Sequence, residues 1–261
     1  MIEIVDKHAS FDTYAKKMFI LNTPTSLHNL KRLKAVFGTH FLIIQALRPI
    51  DKRYDNFFAS ILQPENGVPK LPLNIRILSW NFDIQIEKSY FNFCEQFPLL
   101  KSEILLNPNI LRINGICGLN TEKGFNYIEQ SLSTDLFSAM IQAFKFYSEA
   151  MAVSLENGGR RIPIYFAWDE KDSDKISKIV ADTKIMVIIG YSFPFFNRKI
   201  DMDIFKELVG KVARIYIQTT ENSFPAVKER IQTMYPTSHF EKIITPIYAT
   251  DYFHIPDELM L

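Results

Sequence analysis

Cysteine is almost missing from this chain: there are two, Cys94 and Cys117, with no close spacing between them. That excludes a four-cysteine zinc site, and two buried thiols are expected in preference to a lone disulfide. Glycine is also scarce, with nine copies, and none falls into a Walker loop, a Gly-x-Gly-x-x-Gly or a Gly-x-Ser-x-Gly elbow. The five histidines, His8, His28, His40, His239 and His254, lack the i, i+4 spacing of a helical metal site. No bound metal is therefore expected. Neither sign of charge is in excess, since 30 Lys and Arg balance 29 Asp and Glu to +1. The densest basic cluster, Lys31, Arg32 and Lys34, reads as a solvated helix face, and nucleic acid is not an expected partner. Long apolar runs are missing too. Phe41–Ala46 and Ile185–Ile189 are far too short to span a bilayer, and Met1–Ser10 is charged and carries no apolar leader. A soluble cytoplasmic protein with no membrane partner is the expectation.

What the chain does have is hydrophobic material. Apolar residues make up 47% of its 261 positions, and 22 of them are Phe, enough for one large or two small packed domains. No internal repeat or low-complexity segment is visible. The first part is helical in pattern. Leu27, Leu30, Leu33, Phe37, Phe41, Ile44 and Leu47 recur every three or four residues, with Gly38 weakening the middle and Pro49 ending the run. A second helix is predicted over Lys52–Leu62, and Pro64, Gly67 and Pro69 mark a loop after it.

From Asn74 the pattern changes to alternating strands and helices. Strands are predicted over Ile75–Trp80, Ile110–Asn114, Ile162–Trp168, Lys184–Gly190, Val212–Thr219 and Ile243–Tyr248. Helices are predicted over Ile84–Phe93, Thr134–Leu155 (closed by Asn157, Gly158 and Gly159), Asp174–Ala181, Arg198–Val209 and Pro225–Met234, with Asn197 as an N-cap and Gly210 as a stop. The unbroken run Lys184–Gly190 suggests a strand covered on both faces. Alternation of this kind implies an α/β fold with a doubly wound, mostly parallel sheet. Residues 1–73 are then a helical N-terminal section of the same domain, and residues 74–261 its core. Ligands on such sheets bind at the carboxyl ends of the strands.

Three expected strand ends stand out: Ser79-Trp80-Asn81-Phe82-Asp83, Ile113-Asn114-Gly115 and Gly190-Tyr191-Ser192-Phe193-Pro194. In motifs and strand order this set resembles the sirtuin-like family, and more narrowly its bacterial, zinc-free branch that includes NAD-hydrolysing proteins. The resemblance spans roughly residues 74–225 and implies a Rossmann-like sheet with NAD as substrate or ligand. By that resemblance Asn81 sits beside the nicotinamide ribose, where an amide orients ribose hydroxyls and water around a cation-like transition state. Asp83 shapes the ribose pocket, although an N-cap role alone accounts for it. Asn114 stands where the family usually has a histidine, and an amide cannot act as a general base. Gly190 and Ser192 match the loop that approaches the phosphates or the adenosine ribose, Gln218 a position touching that ribose, and Asp251 a loop facing adenine. Each residue also has a plain turn or cap reading.

The family also opens with a strand and a Gly-Ala-Gly-x-Ser loop, and none precedes Asn74 here. Ser10–Lys17 resembles the helix that follows that loop, so the expectation is a chain cut short or naturally reduced. An NAD-binding domain with weak or absent nicotinamide-releasing hydrolysis follows. The alternative is a non-catalytic scaffold that uses Phe193, Phe195 and Phe196 to meet a protein partner or a second copy.

Overall fold

The computed structural model describes residues 7–8, 10–94, 107–117, 135–152, 164–169, 173–235 and 240–259. The chain is α/β and divides into two compact units, one of residues 1–50 with 78–169, the other of 51–77 with 170–261. Both units draw on residues from either side of residue 74.

In the first unit, α1 (Phe11–Leu21) is capped by Ser10, whose Oγ accepts from Thr13 N at 3.1 Å, and it ends at Asn22 with φ 46°. It buries Tyr14, Ala15 and Met18. Helix α2 (Pro24–Leu47) starts from a capping box between Thr23 and Ser26 with Pro24 in the first turn. Its buried face is Leu30, Leu33, Ala35, Gly38, Leu42 and Gln45, while Leu47, expected inside, is exposed. Helix α5 (Leu136–Ala152) packs along α2 through Ala139, Ala143, Phe146 and Ala150. The core between them also takes in Cys117 and Ile164. Gly38 is what lets α5 approach, because a Cβ there would lie 2.7 Å from the Phe146 ring. Two short strands, β3 (Ile77–Ser79) and β4 (Ile110–Arg112), form a two-stranded ladder, with α4 (Gln85–Phe93) following β3. Ile164 makes a single antiparallel bridge to Gly115, so the expected strand Ile162–Trp168 is an irregular segment over its described part. Ile162 itself, residues 153–155 and the expected stop Asn157–Gly159 lie outside the described residues. Cys94 and Cys117 are both buried and form no disulfide.

In the second unit, α3 (Lys52–Ile61) is capped by the Asp51 carboxylate. The expected loop after it is a hairpin of β1 (Gln63–Glu65) and β2 (Val68–Lys70). Asn66 and Gly67 form its turn with φ of 54° and 80°, the primed geometry that suits strand twist. Strands β5 (Ile185–Ile189), β6 (Arg214–Gln218) and β7 (Ile244–Ile247) form a parallel sheet in the order β5-β6-β7. The most apolar stretch was expected to be the covered strand. In the fold the central strand β6 is the more deeply buried, with Ile215 and Ile217 fully inside, while Ile189 of β5 is 37% exposed. Helix α6 (Ser173–Val180) precedes β5. A 3-10 turn (Phe195–Asn197) leads into α7 (Arg198–Leu208), and α8 (Phe224–Met234) and the short α9 (Phe240–Ile243) connect β6 to β7. The four strand ends expected in one sheet thus fall in two ladders.

Candidate functional site

The first unit gathers Asn81, Asp83 and Asn114 at the ends of β3 and β4. Ser79 organises the corner. Its carbonyl accepts from Ile113 N at 2.8 Å, and its Oγ accepts from Arg112 Nη1 at 2.9 Å and Asn81 N at 3.2 Å. Arg112 also clamps Glu87 with two parallel hydrogen bonds, Nε to Oε1 at 3.0 Å and Nη2 to Oε2, and the two side chains are 7% and 2% exposed. Next to Glu87, the buried Lys88 ammonium donates to the Gln45 carbonyl, and burial pushes its pKa down. Gln45 Oε1 accepts from Ile84 N at the start of α4.

On this frame Asn81 is exposed, and among the described residues its side-chain amide has no hydrogen-bond partner. Asn114 is half-buried, and its Nδ2 donates to the Trp80 carbonyl at 3.0 Å. That bond fixes the amide as a donor toward the chain's own backbone. Asp83 accepts from Gln85 N at 3.1 Å, which serves the first turn of α4. Its charge, after burial, is the second cause that raises the Cys117 thiol far above its ordinary range.

The second unit holds Gly190, Ser192 and Gln218 at the carboxyl ends of β5 and β6. Gly190 has φ +61°, donates to the Gln218 carbonyl at 3.0 Å, and faces open space where a Cβ would stand. A side chain at that φ would strain the turn. Ser192 is exposed, and its carbonyl accepts from the exposed Arg230 guanidinium. Between them, Tyr191 donates to both oxygens of Asp201, at 3.0 and 3.1 Å, and accepts from Asn197 Nδ2 at 2.9 Å. Asn197 therefore serves Tyr191 and makes no side-chain cap on α7. Asp201 is 1% exposed, and burial raises its pKa to about 7 against the counter-effect of the Tyr191 bond.

Phe193, expected at the surface, is 8% exposed with φ +52°, its ring 4.6 Å from Tyr191 and 5.8 Å from Phe205. Only Phe195 of the three phenylalanines is fully presented, at 81%. The Gln218 amide is spent on the chain itself: Nε2 donates to the carbonyls of Ala249 and Tyr252, each at 2.6 Å, and Oε1 accepts from His254 N at 2.9 Å. It anchors the segment after β7 and has no remaining donor to offer a ribose. Asp251 in that segment is exposed. A cleft of about 360 Å³ lies between this segment and α3, lined by Phe57, Ser60, Tyr252, Phe253 and His254 among others, and none of the six candidate residues lines it.

Arg112, Glu87, Asp201 and Arg230 were not singled out from the sequence. A lone Arg inside the apolar stretch Ile110–Ile113 is the one signal that could have pointed to a buried ion pair. No three His, Cys, Asp or Glu residues are grouped as a metal would require, among the described residues. No helix among them is long and apolar enough to cross a membrane. No family model matches the chain, and neither a curated protein nor a solved structure is similar to it.

Proposed function

We propose that this chain is a sirtuin-like, NAD-binding domain of doubly wound, Rossmann-like architecture, with weak or absent hydrolysis to nicotinamide and ADP-ribose. The observation that carries this reading is the Gly190–Ser192 loop. It leaves the carboxyl end of a parallel strand, is open above Gly190, and has the Arg230 guanidinium beside it. Backbone that can be approached closely, next to an exposed cation, suits a phosphate. Within the first unit, Asn114 has no proton affinity and is already donating, which disfavours hydrolysis. The 261 residues carry no Gly-rich nest ahead of Asn74, which favours weak affinity.

Calorimetric NAD titration with a nicotinamide-release assay tests this. Binding in the range of hundreds of micromolar or weaker is expected, with turnover at or below detection. Arg230→Ala, by losing a charge-assisted bond of ~1.5–3 kcal/mol, weakens binding ~10–100-fold. Binding that is undetectable at millimolar NAD would overturn the dinucleotide reading, and micromolar affinity with brisk turnover would overturn the weak-activity reading. The second reading is a non-catalytic scaffold, favoured by the 81% exposure of Phe195 and by the full commitment of the Gln218 amide.

A further inference from the structure

Helix α5 is built inside out. Against α2 it turns three small residues, Ala139, Ala143 and Ala150, and Phe146, while five other large apolar residues point away. Leu136, Phe137, Met140, Ile141 and Phe144 are 52%, 73%, 55%, 53% and 73% exposed. On a helix these five positions form one continuous stripe over two and a half turns. Single exposed apolar side chains are ordinary, but contiguous stripes of this kind mark contact surfaces. The stripe has no charge within it. Asp135 stands at one end and Lys145 at the other, both exposed.

We infer that this stripe is the contact between two copies of the chain, which pair α5 against α5 antiparallel about a two-fold axis near Met140. Three features favour a second copy over other occupants. First, the axis sets Leu136 opposite Phe144 of the other copy and Met140 opposite itself, so the row of every fourth residue in the stripe meets its own apolar counterpart. Second, it brings the Asp135 end of each helix to the Lys145 end of the other, which matches opposite charges at both rims and opposes the helix dipoles favourably. Third, the exposed fractions amount to about three large side chains per copy, roughly 600 Å² at ~200 Å² each. Doubled, that is about 1,200 Å², at the lower limit of specific protein interfaces. The pairing stands independently of any NAD site, which involves other elements.

Sedimentation of the full 261-residue chain between about 1 and 100 µM reads the assembly. The weight-average mass is expected to rise from the 30.4 kDa of one chain toward twice that value. Phe144→Glu buries an unpaired charge against Leu136 of the other copy at both ends of the stripe and is expected to raise the dimer Kd at least ~100-fold. Its circular dichroism should match the wild type, since Phe144 contributes little to the internal core. Met140→Cys supplies a readout that does not depend on a disruptive change. Cys94 and Cys117 are buried, so mild oxidation is expected to give a covalent dimer through position 140 alone. A monomer mass at every concentration overturns the inference, as does a dimer that Phe144→Glu leaves intact or one that Met140→Cys fails to cross-link. Flotation of the wild-type monomer with neutral lipid vesicles would assign the stripe to a lipid surface and would equally overturn it.

Discussion

At the scale of single residues, the strongest commitments in this molecule are buried charges that hold strand ends in place. Arg112 and Glu87 sit almost without solvent, and Arg112 is also the donor that fixes Ser79, from which Asn81 is hung. A buried pair is costly to break because the survivor keeps its charge without its partner. Glu87→Gln leaves the Arg112 guanidinium uncompensated and is expected to cost about 3–5 kcal/mol in urea unfolding. Replacing both residues, Arg112→Met with Glu87→Leu, should recover most of that loss. If the double variant is as unstable as the single one, the pair is not what holds this corner. Asn114 shows the same economy on a smaller scale. Its amide closes onto the Trp80 carbonyl, so the residue has a structural duty at its position.

At the scale of elements, the α2–α5 contact explains an oddity of the sequence. Glycine in the middle of a long helix ordinarily costs about 1 kcal/mol relative to alanine, so Gly38→Ala would stabilise an isolated α2. Here the added Cβ would meet the Phe146 ring at 2.7 and 2.9 Å and the Ile164 Cδ1 at 3.3 Å. Overpacking of that kind costs ~1–3 kcal/mol and should win. Gly38→Ala is expected to lower the melting temperature, and combining it with Phe146→Leu should restore part of the loss. A rise in melting temperature on Gly38→Ala alone would mean that α5 is free to move off α2. The hairpin β1–β2 is a second case. Asn66-Gly67 is a strong turn signal, but Pro64 and Pro69 flank it and read as breakers. They are tolerated because they face each other in a ladder of only two strands, where each strand has an edge.

At the scale of the whole molecule, the buried Asp201 links stability to pH. Its folded-state pKa of about 7 lies above the 3.8 of a free aspartate, so the fold prefers the protonated form. The sign follows: the contribution is fully present below pH ~4, declines as pH rises, and is lost once pH passes ~7, at a slope of at most ~1.4 kcal/mol per pH unit. Asp201→Asn keeps the size and an acceptor for Tyr191 but cannot titrate. Its advantage over the wild type in urea unfolding is therefore expected to be small at pH 4.5 and to grow to a plateau above pH 7–8. Parallel stability curves for the two proteins across that range would show that the carboxyl titrates at its ordinary value in the fold.

Periodicity and punctuation determined much by themselves. The predicted helices at Lys52–Leu62, Ile84–Phe93, Asp174–Ala181 and Pro225–Met234, and the strands around Ile110, Ile185, Arg214 and Ile244, were legible because a helix or strand in contact with a core imprints its own period on the residues. The turn at Gly190 was legible for a similar reason, since only glycine adopts that φ without cost. What required the tertiary structure was everything set by partners distant in sequence. Burial of β6 over β5 follows from strand order, the fate of the Gln218 amide from the segment 31 to 36 residues beyond it, and the burial of Phe193 from contact with Phe205. The outward face of α5 belongs here too. Its sequence reads as a helix with a wide apolar face beside a polar stripe of Ser138, Gln142, Lys145 and Glu149, and only the placement of α2 decides which apolar residues are core and which are left exposed. A local pattern records that a residue avoids water, whereas the group that shields it is chosen by the fold.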